Sequence, residues 1–144
     1  MKLSTRTRYG IRAILELAEN HGKGPLQLKI IASHQDISAK YLEQLMAILK
    51  SAGLVRSVRG SKGGYILAKP PNQIKLNDVF NCLEGPVTTV ECVDGENYCT
   101  RAANCVARGL WAQLQQAIET VLQSVTLQDL LDKSKDRKAI DYQI

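Results

Sequence analysis

The stretch that most constrains this chain runs from Ser38 to Leu67, SAKYLEQLMAILKSAGLVRSVRGSKGGYIL. Leu42, Leu45, Met46 and Leu49 fall at i, i+3, i+4 and i+7, the apolar stripe of an amphipathic helix, with Ser38 placed to cap its start and Gly53 just past its end. Such a helix buries the stripe and shows its other face, which carries Ser38, Lys40, Glu43, Gln44 and, near the start, Tyr41. The short or planar polar groups of that face suit base edges and phosphates. Two short strands follow, Leu54 to Val58 and Tyr65 to Leu67, joined by Arg59-Gly60-Ser61-Lys62-Gly63-Gly64. Three glycines predict a slim and flexible turn, and Arg59 and Lys62, with Ser61 between them, equip it to enter a groove of DNA. A helix followed directly by a basic hairpin predicts a winged helix-turn-helix.

Upstream, Ser4 or Thr5 can cap a first helix with apolar positions Ile11, Ile14, Leu15 and Ala18, ending before the breaker His21-Gly22-Lys23-Gly24-Pro25. Arg6, Arg8 and Arg12 sit in its first turns, where the helix dipole alone favours acidic residues. Arginines at a helix N-terminus make a phosphate site. Leu28, Ile31 and Ala32 start a shorter second helix, and Gln35-Asp36-Ile37 is a tight turn into the helix capped by Ser38, which completes the helix-turn-helix spacing. His21 and His34 read as surface residues. The candidate DNA contacts are therefore Arg6, Arg8, Ser38, Lys40, Tyr41, Glu43, Gln44, Arg59, Ser61 and Lys62. Gln44 suits adenine, Glu43 can accept from cytosine N4, Arg59 suits a narrowed minor groove, and Arg6, Arg8 and Lys62 suit phosphates.

Charge supports a polyanion partner. Residues 1 to 70 carry 12 Lys and Arg against 4 Asp and Glu, a net of +8, whereas residues 71 to 144 carry 7 against 10, a net of −3. The formal total of +5 hides that skew toward the half with helix and hairpin. No apolar run nears the length of about 18 residues that a membrane span needs. The start MKLSTRTRYG lacks the apolar core of a signal peptide, so the expected location is the cytoplasm.

Pro70-Pro71-Asn72 closes the basic region, giving a winged domain over 1–71. A connecting helix over 72–86 follows, with Leu76, Val79, Phe80 and Leu83 as its stripe and Gly85-Pro86 as its stop; Cys82, off that stripe, reads as a free thiol. Residues 87–105 show no period. Trp111, Leu114, Ile118, Val121 and Val125 then recur at 3- and 4-residue steps, a heptad seam widened by Leu110, Ala117 and Leu122. That pattern predicts a dimerisation helix within 106–132, with a short terminal helix begun by the capping box Thr126-Leu127-Gln128-Asp129. The charged segment 133–144 is expected to be a flexible tail.

Cys92, Cys99 and Cys105 follow C-x6-C-x5-C across the aperiodic loop. A cytosolic chain keeps such thiols reduced, which turns the question toward metal or redox chemistry. The spacing lacks CxxC pairs, and no histidine follows His34 to complete a zinc set. An iron-sulfur cluster, a thiol redox switch and zinc stay open, in that order. No catalytic triad, nucleotide loop or paired carboxylates stand in a recognisable context, so the chain is not expected to be an enzyme.

MKLSTRTRYG, the Ser38–Leu67 stretch, LEGP and the three cysteines ahead of a helix containing Leu110-Trp111 together resemble the Rrf2-type regulators, which include IscR-, NsrR- and CymR-like members. The resemblance extends to about residue 132. It implies a mainly α-helical, homodimeric winged helix-turn-helix transcription regulator. In the iron-sulfur members three cysteines of this loop hold a cluster, which maps onto Cys92, Cys99 and Cys105, with 2Fe-2S ahead of 4Fe-4S. The fourth ligand is unknown. The IscR-like histidine position holds Arg108, and the NsrR-like carboxylate position holds Arg8, neither of which ligates iron; Glu91, Asp94, Glu96, Cys82 or an exogenous molecule are the alternatives. CymR-like members lack this cysteine set, which keeps a cluster-free, thiol- or partner-controlled regulator of sulfur metabolism in play, with a sulfur-metabolism enzyme as the partner in that alternative. The operator is expected to be a near palindrome in double-stranded DNA.

Overall fold

A computed structural model describes residues 2–95 and 100–142 of the 144-residue chain. Seven α-helices and one two-stranded hairpin are seen among them: α1 (Thr5–Glu19), α2 (Leu28–Gln35), α3 (Ala39–Ser51), β1 (Val55–Val58), β2 (Gly64–Leu67), α4 (Leu76–Leu83), α5 (Glu91–Asp94), α6 (Val106–Ser124) and α7 (Leu127–Tyr142). Short 3-10 turns at Pro71–Gln73 and Ala102–Asn104 lie between them. The mainly α, winged arrangement is the one expected.

The expected cap forms at α3, where the Ser38 hydroxyl accepts from the Tyr41 N–H at 3.1 Å and Leu42, Leu45, Met46 and Leu49 are buried. Asp36, in the left-handed conformation with φ of 55°, makes the turn between α2 and α3. Helix α1 lies at the centre, with α2, α3, β2, α4 and α7 packed on it. It buries Thr7, Gly10, Ala13, Ile14, Leu17 and Ala18. Ile11 and Leu15, expected in the buried stripe, are half-buried flanks instead. The stripe turns because α4 packs tightly against Gly10, where an added Cβ would lie 2.5 Å from Leu83 Cδ1. Residue size, invisible to a hydrophobicity pattern, selects the contact face.

The hairpin strands pair antiparallel, Val55 with Leu67 through Val58 with Gly64. Leu26 joins as a one-residue third strand through reciprocal N–H···O bonds with Tyr65 of 3.0 and 2.9 Å. The glycines of the turn therefore differ from the expectation of flexibility. Gly60 alone sits free in left-handed backbone, with φ of 116° and nothing within 4 Å of a notional Cβ. A Cβ on Gly63 would lie 2.1 Å from the Val58 carbonyl, and one on Gly64 would lie 2.4 Å from the Leu26 carbonyl. Those two glycines exist for close backbone approach.

Residues beyond Pro71 share the same core. Ile74, Leu76, Val79, Leu83, Leu127 and Leu131 are buried in one cluster with α1 and α3. A second antiparallel bridge ties the α6–α7 turn to the segment before α4: Leu76 N–H donates to the Val125 carbonyl at 2.8 Å, and Leu127 N–H to the Ile74 carbonyl at 3.0 Å. The capping box forms, with Thr126 N–H on the Asp129 carboxylate at 2.9 Å and Asp129 N–H on the Thr126 hydroxyl at 3.2 Å. The helix it starts is not short. It continues to Tyr142 through most of the segment expected to be a tail, packed on α1 near its start and carrying exposed charged residues beyond.

The predicted seam of α6 divides between two faces. Trp111, Ile118, Leu122 and Val125 are half-buried on the side packed against α4 and α5. Leu110, Leu114 and Val121 are 51%, 47% and 59% exposed, and Val106 is 92% exposed. Anchoring at both ends fixes the helix rotation, so the outward seam is Leu110, Leu114, Ala117 and Val121, one step round from the one read off the sequence.

Candidate nucleic-acid interface and cysteine loop

Packing of the α3 stripe leaves Lys40, Glu43, Gln44, Ala47 and Lys50 exposed along its opposite side, with Ser38 exposed at its N-cap. Arg59, Ser61 and Lys62 are all exposed in the wing that follows. The Lys50 ammonium donates to the Ser57 hydroxyl at 2.9 Å, tying the end of α3 to β1, and the Arg56 guanidinium donates to the Ala68 carbonyl at 2.9 Å, bracing the second strand. Tyr41 differs from the other candidates. It is half-buried, and its ring stands edge-on to Tyr9, with centroids 6.3 Å apart and an interplanar angle of 88°.

Helix α1 carries the remaining two candidates, Arg6 and Arg8. Arg6 and Arg8 are both exposed. Arg6 Nε donates to the Leu83 carbonyl at 2.8 Å, and among the described residues Arg8 reaches only the Thr5 hydroxyl of its own turn at 3.4 Å. Arg12 is engaged otherwise: its guanidinium lies 5.1 Å over the Tyr9 ring and donates to the Gln35 side-chain oxygen at 2.8 Å. Gln35 in turn donates to Glu16 at 2.8 Å, and the other Glu16 oxygen meets His34 Nδ1. This chain of side chains holds α2, and hence the helix-turn-helix angle, against α1. Sequence reasoning misses Tyr9, Glu16 and Gln35, since pairs 18 to 32 residues apart leave no periodic signal.

The cysteine loop is fastened to α6 by polar contacts. The Asp94 carboxylate accepts from the Thr88 hydroxyl and from the Gln115 amide, the latter at 3.0 Å, and both hold its carboxyl below the usual range, Thr88 most. Gln115 Oε1 accepts from the Thr89 N–H at 3.2 Å, and the Thr89 hydroxyl donates to the Trp111 carbonyl at 3.1 Å. Gln115, the buried polar residue of α6, was not singled out from sequence because it lies off the heptad seam.

Cys92 is half-buried in α5, and Cys105 is exposed at the N-cap of α6. Both are free thiols; Cys99 and the ligand candidate Glu96 lie outside the described residues. Arg108 Nε donates to the Cys92 carbonyl at 2.8 Å, and Val93, Cys105, Arg108, Gly109 and Ala112 line an open depression of about 340 Å³. Arg108 thus braces the loop through the backbone of Cys92. Both Asp94 oxygens are engaged, and Cys82, half-buried on α4, donates to the Val79 carbonyl at 3.2 Å while burial pushes its thiol pKa up. Among the described residues no group of three His, Cys, Asp or Glu side chains is placed to hold a metal ion. Soft thiolate donors suit an iron-sulfur cluster, but the described donors do not complete one, and of the carboxylates suggested for the fourth position only exposed Glu91 is described without a side-chain hydrogen bond.

A capped helix with an exposed polar row, braced by a second helix and followed by a cation-bearing wing, defines a winged-helix DNA-binding protein. The chain belongs to the Rrf2 family, whose model, described as an iron-dependent transcriptional regulator, matches residues 3–133. It is 44% identical over 130 residues to the HTH-type transcriptional regulator CymR of Bacillus subtilis, covering 90% of this chain and 89% of that one. Among solved structures it resembles CymR, the global cysteine regulator of B. subtilis, with a TM-score of 0.80 at 42% identity over 92% of this chain and 98% of that one. IscR of T. potens superposes with a TM-score of 0.78 at 41% identity over 95% of this chain and 90% of that one. The protein is therefore a DNA-binding transcriptional regulator and not an enzyme. No described helix is long and apolar enough to cross a membrane.

Proposed function

We propose that the chain acts in the cytoplasm as a homodimer that reads a near-palindromic operator, with the cysteine loop reporting iron-sulfur or thiol redox state to the reading heads. The observation that carries this reading is the outward seam Val106, Leu110, Leu114, Ala117 and Val121, a stripe about 22 Å long at 1.5 Å per residue. An apolar stripe of that length on a helix already packed on its own domain is a surface for a twin helix. Two-fold pairing sets two α3 helices in successive major grooves, with half-sites about one helical turn or a multiple apart. Ser38, Lys40, Glu43 and Gln44 then face base edges and flanking phosphates, Arg59 and Ser61 enter the adjacent minor groove, and Arg6, Arg8 and Lys62 meet phosphates.

In this reading Cys92, Cys99 and Cys105 would hold the cluster, which supplies a negatively charged, oxidant-sensitive group at the joint between α4 and α6. The chain's own residues set what that joint does. Thr88, Thr89, Asp94 and Gln115 pin the loop to α6, and Arg108 closes the Cys92 side. A ligand shifts DNA affinity only by binding the two arrangements of that joint differently. Arg108 favours a second reading, in which the thiols act without a cluster in the control of cysteine metabolism, directly or through a sulfur-metabolism enzyme. Anaerobic purification decides between them. A brown protein with iron and sulfide, bleached in Cys92→Ala, supports the cluster, whereas a colourless protein that forms a disulfide with peroxide supports the thiol switch. Sedimentation as a lone subunit together with indifference to duplex DNA in dilute salt would overturn both.

A further inference from the structure

The stem of the cysteine loop is fastened to the arginine-bearing end of α1. Glu84, the C-cap of α4, accepts through one carboxylate oxygen from the Ser4 hydroxyl at 2.8 Å, from the Ser4 N–H at 3.1 Å and from the Thr7 hydroxyl. Beside it Arg6 donates to the Leu83 carbonyl, and one turn further along α1 Gly10 abuts the Leu83 side chain. Thr7 is fully buried. Capping of α1 does not require Glu84, because the Ser4 hydroxyl already accepts from the Thr7 N–H at 3.1 Å. What the carboxylate adds is a link to a residue 80 positions away, favoured further by the positive end of the α1 dipole. Among the described residues the Arg8 side chain, by contrast, is bonded only within its own turn, so the first turn takes its position from Ser4, Arg6 and Thr7 on α4. Gly85, with φ of 100°, and Pro86 then lead the chain into the cysteine loop. The group that holds α1 therefore stands at the stem of the proposed sensor.

We propose that Glu84 is a positioning residue for DNA binding: it holds the first turn of α1 so that Arg6 and Arg8 meet the phosphates flanking the bases read by α3. The inference rests on the assignment of those two arginines as phosphate contacts. Without the latch the turn can pivot about its remaining contacts, and a salt-dependent part of the affinity goes with it.

The test uses the full chain and an operator duplex selected by the wild-type protein from a random pool. Affinity is measured by fluorescence anisotropy over a range of salt, beside the urea midpoint. Glu84→Gln keeps the shape and removes the charge; Thr7→Val removes the hydroxyl from its buried site; Thr7→Ser keeps it. Glu84→Gln and Thr7→Val are expected to weaken binding about tenfold and to flatten the salt slope by up to about two per protomer, close to one for each phosphate that is no longer neutralised. Thr7→Ser is expected to bind like wild type. In a background of Arg6→Ala and Arg8→Ala, Glu84→Gln is expected to change nothing further. Wild-type affinity and slope in Glu84→Gln and Thr7→Val would overturn the proposal, as would a lowered urea midpoint with an unchanged slope, since that is a purely structural role. Should Glu84→Gln fail to fold, the Thr7→Val and Thr7→Ser pair decides by the same criteria. If the selection yields no duplex that the wild type binds, the DNA reading itself fails, a result separate from a latch that makes no difference.

Discussion

Replacing Gly64 with alanine tests whether the wing is a rigid three-strand unit. The new Cβ would lie 2.4 Å from the Leu26 carbonyl oxygen and 2.9 Å from the Gln27 nitrogen, both backbone atoms. Ordinary contact requires about 1 Å more, and neither atom can rotate away as a side chain would. The relief available is to part Leu26 from Tyr65, which breaks the two hydrogen bonds of 3.0 and 2.9 Å between them. At about 1 kcal/mol each these contribute about 2 kcal/mol, with backbone strain at φ of 155° adding further cost. Urea unfolding of Gly64→Ala should therefore give a stability lower by about 2–3 kcal/mol. Gly60→Ala is the control. Its Cβ meets nothing within 4 Å, so it should lose only the left-handed backbone preference, about 1 kcal/mol. Specific DNA affinity should fall in Gly64→Ala at protein concentrations and temperatures where the chain remains folded, because Arg59 and Lys62 ride on the displaced hairpin. Equal midpoints for wild type and Gly64→Ala, or a larger loss in Gly60→Ala, would refute the view that close backbone packing, not flexibility, explains the wing glycines.

Charging the outward seam of α6 with Leu114→Glu and Val121→Glu should yield a folded monomer in sedimentation velocity, with operator affinity reduced at least a hundredfold, since both positions are exposed in the single chain. Arg59→Ala should lower affinity chiefly for operators with A·T-rich positions under the wing, whereas Arg8→Ala should weaken all duplexes alike and flatten the salt slope; titrations with two operator variants separate them. Glu84 has its carboxyl held below its ordinary value of 4.5, first by the Thr7 hydroxyl and then by Ser4, with Arg6 adding to the effect. A lowered folded-state pKa stabilises fully above the unfolded value and fades as pH falls through the folded one, so wild-type stability should decline below about pH 4.5 more steeply than that of Glu84→Gln in acid titrations followed by circular dichroism. Gln115→Leu should release Asp94 and Thr89 together, and proteolysis between α4 and α6 should quicken while the urea midpoint of the winged core stays near that of wild type.

Legibility in the sequence followed the range of the interaction. The Ser38 cap, the α3 stripe, the Thr126–Asp129 box and the basic hairpin rest on residues a few positions apart, so local spacing carried them. The exposed candidates of α3 and the wing were found the same way, because whatever the stripe buries leaves the opposite row outside. The Arg12–Gln35–Glu16–His34 chain, the Glu84 latch and the Gln115 clamp join residues 18 to 80 positions apart, and no local period records such pairs. Two errors share one cause. Spacing at i, i+3, i+4 and i+7 runs the α1 stripe through Ile11, Ile14, Leu15 and Ala18, and 3- and 4-residue steps run the α6 seam through Trp111, Leu114, Ile118, Val121 and Val125, but which side faces inward depends on the partner surface.

The sequence by itself determined that this chain has a capped amphipathic helix followed by a basic hairpin, a three-thiol loop and a long helix with apolar residues to spare, because each is written in short-range chemistry. Tertiary structure alone decided how they are turned. It rotates α6 so that Leu110, Leu114, Ala117 and Val121 face out, carries α7 through to Tyr142, and commits the Asp94 and Arg108 side chains to bracing the loop. The physical reason is that burial and hydrogen bonding are satisfied by whichever groups the fold brings within reach, and contacts across eighty residues are settled only when the whole core closes.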